Sequence, residues 1–397
     1  MMLRKQEIKE ENYIRRIKMS IEDMIWECPP HTAAKHLILK KYIEAWAPIL
    51  SQKGFNLKIG YIDGFAGPGE YTGGEDGSPI VVLKALNHHQ LKDNFKSQFL
   101  CLFVEKRNDR CKNLEKAISK KVGNLPNWIT HQVVNGDFNT EIGSIMSDIE
   151  KDGNSLIPCL CFVDPFGWSD LNYDVLASFM KYNKAELFIT FVAGYLSRFV
   201  WDPTHERSIG KLFSSEQMKI IKDAEDNIKR EQVILQIFLE NLINKIKVFV
   251  PSIELYNLSF KALNSNNRLE YYLIYLTKHC KGFQAMKSAM FNVSSNGDYK
   301  FSDFNFVPLQ STLIDYGLEP SWAEEAEREV LKYLEEEKAR GLNQVPIIQV
   351  KNFIQCRTKW KYNTIILENL EKENKIIASI DKRKGQTFPD RGYLSLP

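Results

Sequence analysis

Residues 57–71 carry a strand pattern followed by a glycine-rich turn: Leu57-Lys58-Ile59-Gly60-Tyr61-Ile62-Asp63-Gly64-Phe65-Ala66-Gly67-Pro68-Gly69-Glu70-Tyr71. The apolar run rises to an acid and then breaks into a turn that contains three glycines. This pattern is typical of a buried parallel strand that ends at a ligand-binding crevice. Glycine lets the backbone turn sharply and approach a ligand, because it has no Cβ. By itself the turn fits a nucleotide, a phosphate or no ligand at all.

Strand-like runs alternate with helical patterns through residues 57–192. Four of these strands end on or just before an acid, and the acids are Asp63, Glu105, Asp137 and Asp164. The alternation predicts an α/β fold with a parallel, doubly wound, Rossmann-like sheet. One such acid would often only cap the next helix. Because parallel strands present their carboxyl ends at one edge, where ligands bind, four acids in register predict a polar crevice.

The totals place broad limits on function. The chain has 397 residues, of which 44% are hydrophobic and 26% charged, and its net charge is +3. This length accommodates one large α/β domain and a second unit, and the charge is too small to indicate nucleic acid by itself. No apolar run reaches eighteen residues, and the charged segment 3–18 lacks the apolar core of a signal peptide. We expect a cytoplasmic protein that does not span a membrane.

Seven cysteines are scattered along the chain without a Cys-x-x-Cys pair. An odd number, mostly in apolar settings, predicts reduced thiols in the core. The paired ligand spacing that marks a tetrahedral zinc site is absent from the sequence. We therefore expect no metal site.

Two helices are predicted on either side of the first strand and its turn. Pro29-Pro30 and the apolar spacing that follows predict a helix from about residue 31, with Lys35 and His36 in its first turn. Cations are unfavourable there, beside the positive end of the helix dipole. The pair is therefore either a solvated lysine beside a half-buried histidine, or part of a site with a nearby carboxylate. A second helix is predicted at Gly77-Ser78-Pro79, with Ser78 as its N-cap.

The later part of the chain departs from the strand–helix alternation. Residues 197–250 are charged and helical and predict an inserted helical subdomain, within a first domain that covers residues 1–310. Residues 320–397 read as three helices followed by a β-hairpin, which is the order of a winged helix-turn-helix domain. From Lys351 onward there are ten Lys/Arg and five Asp/Glu, a net charge of +5. The hairpin tip suits phosphate contact, although many winged helices only dock proteins.

A glycine turn, a strand-two acid, a strand-three acid and then Asp-Pro is the order expected of an S-adenosylmethionine-dependent methyltransferase. The turn would hold the methionine part, and Glu105 would accept the ribose hydroxyls, as the equivalent acid does in dinucleotide folds. Asp137 would accept the adenine amine, with Phe138 or a neighbour over the adenine face. A dehydrogenase is disfavoured because the turn lacks the Gly-x-Gly-x-x-Gly spacing, and a P-loop is excluded because no Gly-Lys-Ser/Thr occurs there.

Three segments resemble the three-Cys-motif partner protein (TcmP) family: residues 61–71, Gly77-Ser78-Pro79-Ile80 and Phe162-Val163-Asp164-Pro165-Phe166-Gly167-Trp168. The likeness covers most of residues 25–290, and the Lys35-His36 helix and the C-terminal winged helix match as well. The resemblance implies a Rossmann-like methyltransferase domain. It also implies a neighbour-encoded partner protein that bears a three-cysteine motif.

A more distant resemblance is to the ribosomal-RNA adenine-N6 methyltransferases, which share the Lys-His helix, the aspartate-to-glycine turn, the Gly-Ser-Pro helix start and an Asp-Pro-Pro-Tyr motif. It implies that Asp164 accepts a hydrogen bond from the target amine and that Pro165 supplies a backbone carbonyl. This chain has Asp-Pro-Phe-Gly instead, so Gly167 stands where the stacking aromatic belongs. Phe166 or Trp168 could still supply a π-face, worth about 1–3 kcal/mol per stacked base. The change can equally mean a different acceptor.

We expect a methyltransferase that acts on nucleic acid, RNA or DNA, most simply on an adenine amine. One alternative is a methyltransferase of a protein or a nucleotide intermediate, with the winged helix docking a partner. The other is a cofactor-binding scaffold without methyl transfer, which the four strand-end acids argue against. The candidate catalytic residues are Asp164, Pro165 and Phe166, and the candidate substrate-binding residues are Trp168, Lys382, Arg383 and Lys384. The candidate cofactor-binding residues are Lys35, His36, Asp63, Gly64, Phe65, Ala66, Gly67, Gly69, Ser78, Glu105, Asp137 and Phe138.

Overall fold

A computed structural model describes residues 23–51, 57–294, 299–302, 323–358, 360, 362–380 and 388–397. Its centre is an eight-stranded sheet made of β1 (Lys58–Asp63), β2 (Gln98–Glu105), β3 (Ile129–Asn135), β4 (Cys159–Val163), β5 (Ala185–Phe191), β6 (Tyr256–Leu263), β7 (Leu269–Thr277) and β8 (Lys300–Ser302). The strand order is β3-β2-β1-β4-β5-β7-β6-β8. The pairs among β1 to β5 are parallel, whereas β7 runs antiparallel to both β5 and β6. The predicted Rossmann-like α/β sheet is therefore confirmed.

Helices cover both faces of this sheet. In chain order they are α1 (Pro30–Ser51), α2 (Ser78–Asn87), α3 (Asn108–Lys121), α4 (Phe138–Lys151), α5 (Tyr173–Met180), α6 (Ala193–Phe199), α7 (Glu206–Ile209), α8 (Ser215–Lys222), α9 (Asn227–Phe249) and α10 (Cys280–Phe291). The helices α1, α2, α3 and α10 share one apolar core, and α4, α5, α6 and α9 share the other. Of the helices described, none is both long and apolar enough to cross a membrane.

The start of α2 corrects the predicted cap. Gly77 occupies the N-cap position without a side-chain hydrogen bond, and Ser78 is the first helical residue. The Ser78 hydroxyl instead hydrogen-bonds the Asp63 carboxyl at the end of β1. The sequence could not show this, because a serine before proline suits either a cap or a partner outside the helix.

The helical segment after β5 is part of the layered domain. Its longest member, α9, buries Ile234, Phe238, Leu242 and Ile246 in the core that it shares with α5 and α6. The Phe238 ring stacks on Phe191 of β5 with 4.0 Å between ring centroids. Where the sequence predicted an inserted subdomain over residues 197–250, the structure places α9 against the sheet.

The C-terminal residues form a smaller unit with a core of its own. Its elements are α11 (Ala323–Ala339), β9 (Val345–Pro346), α12 (Ile347–Arg357), α13 (Thr364–Lys372), β10 (Ile377–Ser379) and β11 (Tyr393–Ser395). The three strands pair in the order β10-β11-β9. The predicted hairpin tip, with Lys382, Arg383 and Lys384, lies outside the described residues.

The smaller unit is joined to the sheet domain through α10 and α12. Lys287 of α10 is buried and donates to the carbonyls of Ile354 (2.7 Å) and Thr358 (2.8 Å), at the carboxyl end of α12. Cys280 and Cys356 form a disulfide with their Cα atoms 5.5 Å apart. This corrects the expectation of reduced thiols for these two cysteines, which lie 76 residues apart in sequence and meet only when the two units pack.

The buried lysine at this junction predicts a pH-dependent stability. Burial lowers the pKa of Lys287 from 10.5 to about 7, and the charge of Glu329 opposes the shift. Between those values unfolding takes up a proton, so stability rises with pH by at most about 1.4 kcal/mol per pH unit. We expect the unfolding free energy of the wild type, relative to Lys287→Met, to increase from pH 7 to pH 10 in urea titrations. Burial also lowers the pKa of Lys278, to about 8. Because Lys278 is present in both proteins, its contribution cancels in the difference. A difference that stays constant with pH contradicts this expectation.

Candidate functional site

The glycine turn after β1 is tied to the neighbouring strands by its own backbone. Each N–H group from residue 64 to residue 67 donates to an oxygen of the protein. The four bonds run from Gly64 to the Phe162 carbonyl (2.9 Å), Phe65 to Asp63 Oδ1 (3.3 Å), Ala66 to the Val104 carbonyl (2.9 Å) and Gly67 to Glu105 Oε2 (3.0 Å). A phosphate cradle needs N–H groups that are free to point at the anion. This part of the turn is therefore not a phosphate site, which removes one of the ligands that its sequence allowed.

The glycines are required by the turn and by its close packing. Gly67 and Gly69 have φ values of +60° and +83°, which favour glycine. A Cβ on Gly77 would lie 2.9 Å from the Gly69 carbonyl carbon, so the start of α2 rests directly on the turn. A Cβ on Gly64 would lie 2.4 Å from the Phe138 ring. The space beside these glycines is thus occupied by the protein itself.

Asp63, at the end of β1, is completely buried. Burial raises the pKa of its carboxyl to about 7, and the Ser78 hydroxyl and the Phe65 N–H oppose the rise. The Asp164 charge raises this pKa further and the Lys35 charge lowers it. Asp63 therefore bonds to the serine at the start of α2 and is influenced by the charges of Asp164 and Lys35.

Lys35 and His36 reach this site from the second turn of α1 and not from the predicted first turn, because the helix begins at Pro30. Lys35 Nζ lies 2.5 Å from Asp164 Oδ2, and its side chain is nearly fully buried. His36 is buried too, and burial together with the Lys35 charge lowers its pKa to about 3. The imidazole is therefore neutral, and it hydrogen-bonds the backbone of Asp76. Of the two predicted possibilities, the structure favours the site: one cation has a carboxylate partner and the other side chain is uncharged.

Glu105 at the end of β2 binds backbone on both of its oxygens. Oε2 accepts the Gly67 N–H at 3.0 Å, and Oε1 accepts the Arg107 N–H at 2.8 Å. An ionised carboxylate offers about four acceptor positions, so capacity remains on both oxygens for hydroxyl donors. Glu105 consequently both fixes the turn and remains able to receive a ligand.

Asp137 and Phe138 follow β3, at the start of α4. Asp137 is the N-cap of α4: it accepts the N–H groups of Asn139 and Thr140. Its Oδ2 lies 3.7 Å from Lys106 Nζ. The Phe138 ring is buried and packs on Phe65, with the ring centroids 5.3 Å apart. The structure thus gives Asp137 a capping role beside any ligand role, and it covers one side of the predicted Phe138 platform.

The loop after β4 separates the two aromatic candidates. Phe166 is 36% exposed, whereas Trp168 is 5% exposed. The Trp168 indole N–H donates to Ser208 Oγ at 3.2 Å, and its ring lies against Tyr195. Trp168 is therefore a packing residue between the loop and the helices after β5, which does not fit its predicted contact with substrate. Phe166 is the aromatic residue of this motif with an exposed face.

No functional role was predicted from the sequence for three side chains beside the turn, which belong to Trp26, Tyr71 and Arg110. The Trp26 ring lies against Tyr71 (5.9 Å between centroids) and Phe166 (5.3 Å). The Arg110 guanidinium lies 4.7 Å from the Trp26 ring centroid. Tyr71 closes the stretch that revealed the turn, but the other two come from a segment before α1 and from α3, with no sequence pattern that links them.

Comparison with known proteins gives only partial likenesses. No family model matches the chain, and no curated protein matches it. Among solved structures, Trm1 from Pyrococcus horikoshii with S-adenosyl-L-methionine is similar at 11% identity and a TM-score of 0.34, over 62% of this chain and 56% of that one. A putative O-methyltransferase from Klebsiella pneumoniae is similar at 12% identity and a TM-score of 0.31, over 59% of this chain and 80% of that one.

The O-methyltransferase TomG from Streptomyces achromogenes, in complex with SAM, is similar at 13% identity and a TM-score of 0.29. That match covers 59% of this chain and 79% of TomG. At such scores the assignment of the fold rests on the strand order of this chain, and the assignment of the site rests on the contacts given above.

Proposed function

We propose that this chain is an S-adenosylmethionine-dependent methyltransferase that acts on nucleic acid, most simply on the exocyclic amine of adenine. The observation that carries the proposal is a strand-end site built of carboxylates around a turn whose N–H groups are used within the protein. Such a site suits a ligand without phosphate that offers an amino group, ribose hydroxyls and an adenine amine as donors. When bound, this cofactor supplies a methyl group on a sulfonium.

The residues at the strand ends bind different parts of the cofactor. The glycine turn faces the methionine part, with Lys35 and His36 beside it. Asp63, which is completely buried, anchors the turn through the Phe65 N–H and the Ser78 hydroxyl. Glu105 accepts the ribose hydroxyls on the positions that its backbone bonds leave open. The Oδ2 atom of Asp137 accepts the adenine amine, because its Oδ1 atom is the one that caps α4.

Asp164 is the residue that handles the methyl acceptor. Its carboxylate would accept a hydrogen bond from the acceptor amine and hold the nitrogen in place for the methyl group that the cofactor supplies. The proton that the amine loses as its N–CH3 bond forms and the S–CH3 bond breaks would leave through this hydrogen bond. The Lys35 ammonium, 2.5 Å from Asp164 Oδ2, pairs with this carboxylate and fixes its position. Pro165 supplies a backbone carbonyl for the second amine hydrogen, and the exposed face of Phe166 stacks on the base. Positioning of this kind needs little acid–base chemistry.

The second unit and a partner complete the proposal. The order α11-β9-α12-α13-β10-β11 supports a winged helix-turn-helix domain over residues 320–397. Lys382, Arg383 and Lys384, which lie outside the described residues, would contact phosphate in such a domain. The resemblance to the TcmP family supports a neighbour-encoded protein with a three-cysteine motif as the partner.

The proposal is tested by incubating the protein with tritiated S-adenosylmethionine and separate pools of RNA, DNA and protein, with and without the three-cysteine partner. We expect label in one nucleic-acid pool. Label confined to protein would overturn the nucleic-acid substrate and leave a methyltransferase. Tight cofactor binding without transfer to any pool would leave a non-catalytic scaffold.

A change at Glu105 tests the cofactor site separately. We expect Glu105→Ala to raise the Kd for S-adenosylhomocysteine by roughly tenfold or more, because it removes the acceptor of two hydroxyls and the anchor of Gly67. The measurement is titration calorimetry. Glu115→Ala is the matched control, since this acid lies on the exposed side of α3 beside His131. Equal affinity in Glu105→Ala and the wild type would remove Glu105 from the site.

A further inference from the structure

The segment before α1 crosses the proposed methyl-acceptor site. It is attached at two points: the Thr72 N–H donates to the Trp26 carbonyl at 3.0 Å, and Arg110 Nη2 donates to the Asp23 carbonyl at 2.6 Å. Thr72 follows the glycine turn, and Arg110 belongs to α3. The position of Trp26 is therefore set by the elements that form the cofactor side of the site.

The Trp26 ring contacts both halves of that site. On the cofactor side it lies against Tyr71, and its Cη2 atom would be 3.5 Å from a Cβ on Gly67. On the acceptor side it meets the Phe166 ring at 5.3 Å and an interplanar angle of 69°. A single indole thus joins the glycine turn of β1 to the Asp-Pro-Phe loop of β4.

Arg110 holds the two rings together. Its guanidinium lies 4.7 Å from the Trp26 centroid and 5.4 Å from the Phe166 centroid, and its side chain is almost fully buried. Cation–π contacts are stronger in a desolvated setting than at an exposed site. A partly exposed phenylalanine on a loop would otherwise rotate among several χ1 and χ2 states. The contacts with Trp26 and Arg110 leave Phe166 with one face for a ligand.

We propose that Trp26 is a positioning residue of the acceptor site, which fixes the plane of Phe166 relative to the cofactor turn and so the plane in which a flat nucleobase is held. The inference rests on the proposed function. A positioning role for Trp26 differs from a simple packing role. It requires acceptor binding to depend on the aromatic ring, and it does not require the fold to depend on that ring.

The test compares Trp26→Ala, Trp26→Phe and Trp201→Ala in the full-length protein. Trp201 is the matched control, as an exposed tryptophan with an arginine, Arg230, over its ring. Rates are measured with tritiated S-adenosylmethionine and mixed-sequence single-stranded RNA and DNA oligonucleotides, together with thermal unfolding. We expect Trp26→Ala to raise the acceptor KM about tenfold with a smaller change in kcat, Trp26→Phe to recover to within about threefold, and Trp201→Ala to match the wild type.

The outcomes separate the two proposals. A wild-type protein that transfers no methyl group to either oligonucleotide, with or without the three-cysteine partner, overturns the nucleic-acid function and this inference with it. An active wild type whose acceptor KM is unchanged in Trp26→Ala overturns the inference alone, and so does a KM that Trp26→Phe fails to recover. If Trp26→Ala does not fold, Arg110→Met takes its place, since it removes the cation that holds both rings, and an unchanged KM there is equally decisive.

Discussion

Asp164→Ala is expected to lower methyl transfer by about a hundredfold or more while the affinity for S-adenosylhomocysteine stays within about threefold of the wild type. The carboxylate is the group that orients the acceptor nitrogen, and a misplacement near 1 Å alone can lower a rate by about a hundredfold. A lost hydrogen bond to a charged group adds about 1.5–3 kcal/mol. Transfer is measured with tritiated S-adenosylmethionine, and cofactor binding is measured by calorimetry.

The substitution also leaves the buried Lys35 ammonium without its partner at 2.5 Å, which lowers stability and has to be measured alongside. Asp164→Asn keeps an acceptor oxygen without the charge, so an intermediate rate is expected. Asp174→Ala is the control: it removes an exposed acid that pairs with Lys245 on the helical surface. If Asp164→Ala transfers the methyl group at the wild-type rate, another group must orient the acceptor nitrogen.

Gly194→Ala is expected to destabilise the protein by about 3 kcal/mol or more. A Cβ at this position would lie 2.1 Å from the carbonyl oxygen of Leu269. Neither side can yield easily, because Gly194 is in α6 directly after β5 and Leu269 is the first residue of β7, paired with β6. The effect is read from urea or thermal unfolding.

Gly143→Ala provides the matched control within α4. No heavy atom lies within 4 Å of a Cβ built there, so alanine should stabilise the helix by about 0.5–1 kcal/mol. The two substitutions add the same methyl group and are expected to act in opposite directions. Unfolding of Gly194→Ala at the wild-type midpoint would contradict the close approach of α6 to β7.

Local sequence patterns predicted the parallel sheet. Period-two and period-3.6 alternation depends on neighbouring residues, and the rules that order parallel strands are general. For this reason the alternation predicted over residues 57–192 matches β1 to β5 and the helices that follow the first four of them. The direction of β7 depends on pairing with β5 and β6, which no local pattern records.

The roles of individual side chains were less accessible. Asp137 is an N-cap, and its position just before α4 is compatible with that role. No local sequence pattern indicated that Cys280 and Cys356 would pair. Trp168 and Phe166 lie two residues apart in one motif, yet one is buried and the other is exposed. Burial depends on what packs over the loop, and here that is the helical segment after β5.

The residue pattern from Leu57 to Tyr71, with an acid at or just after the end of each of four strands, was sufficient to predict a polar crevice at one edge of a parallel sheet. Packing decided how that site is connected. Lys35 meets Asp164 across 129 residues of sequence, Glu105 holds the N–H of Gly67, and Trp26 joins the turn to Phe166. These contacts link segments that are far apart in the chain, so they depend on how whole helices and strands pack. A pattern of neighbouring residues therefore cannot predict them.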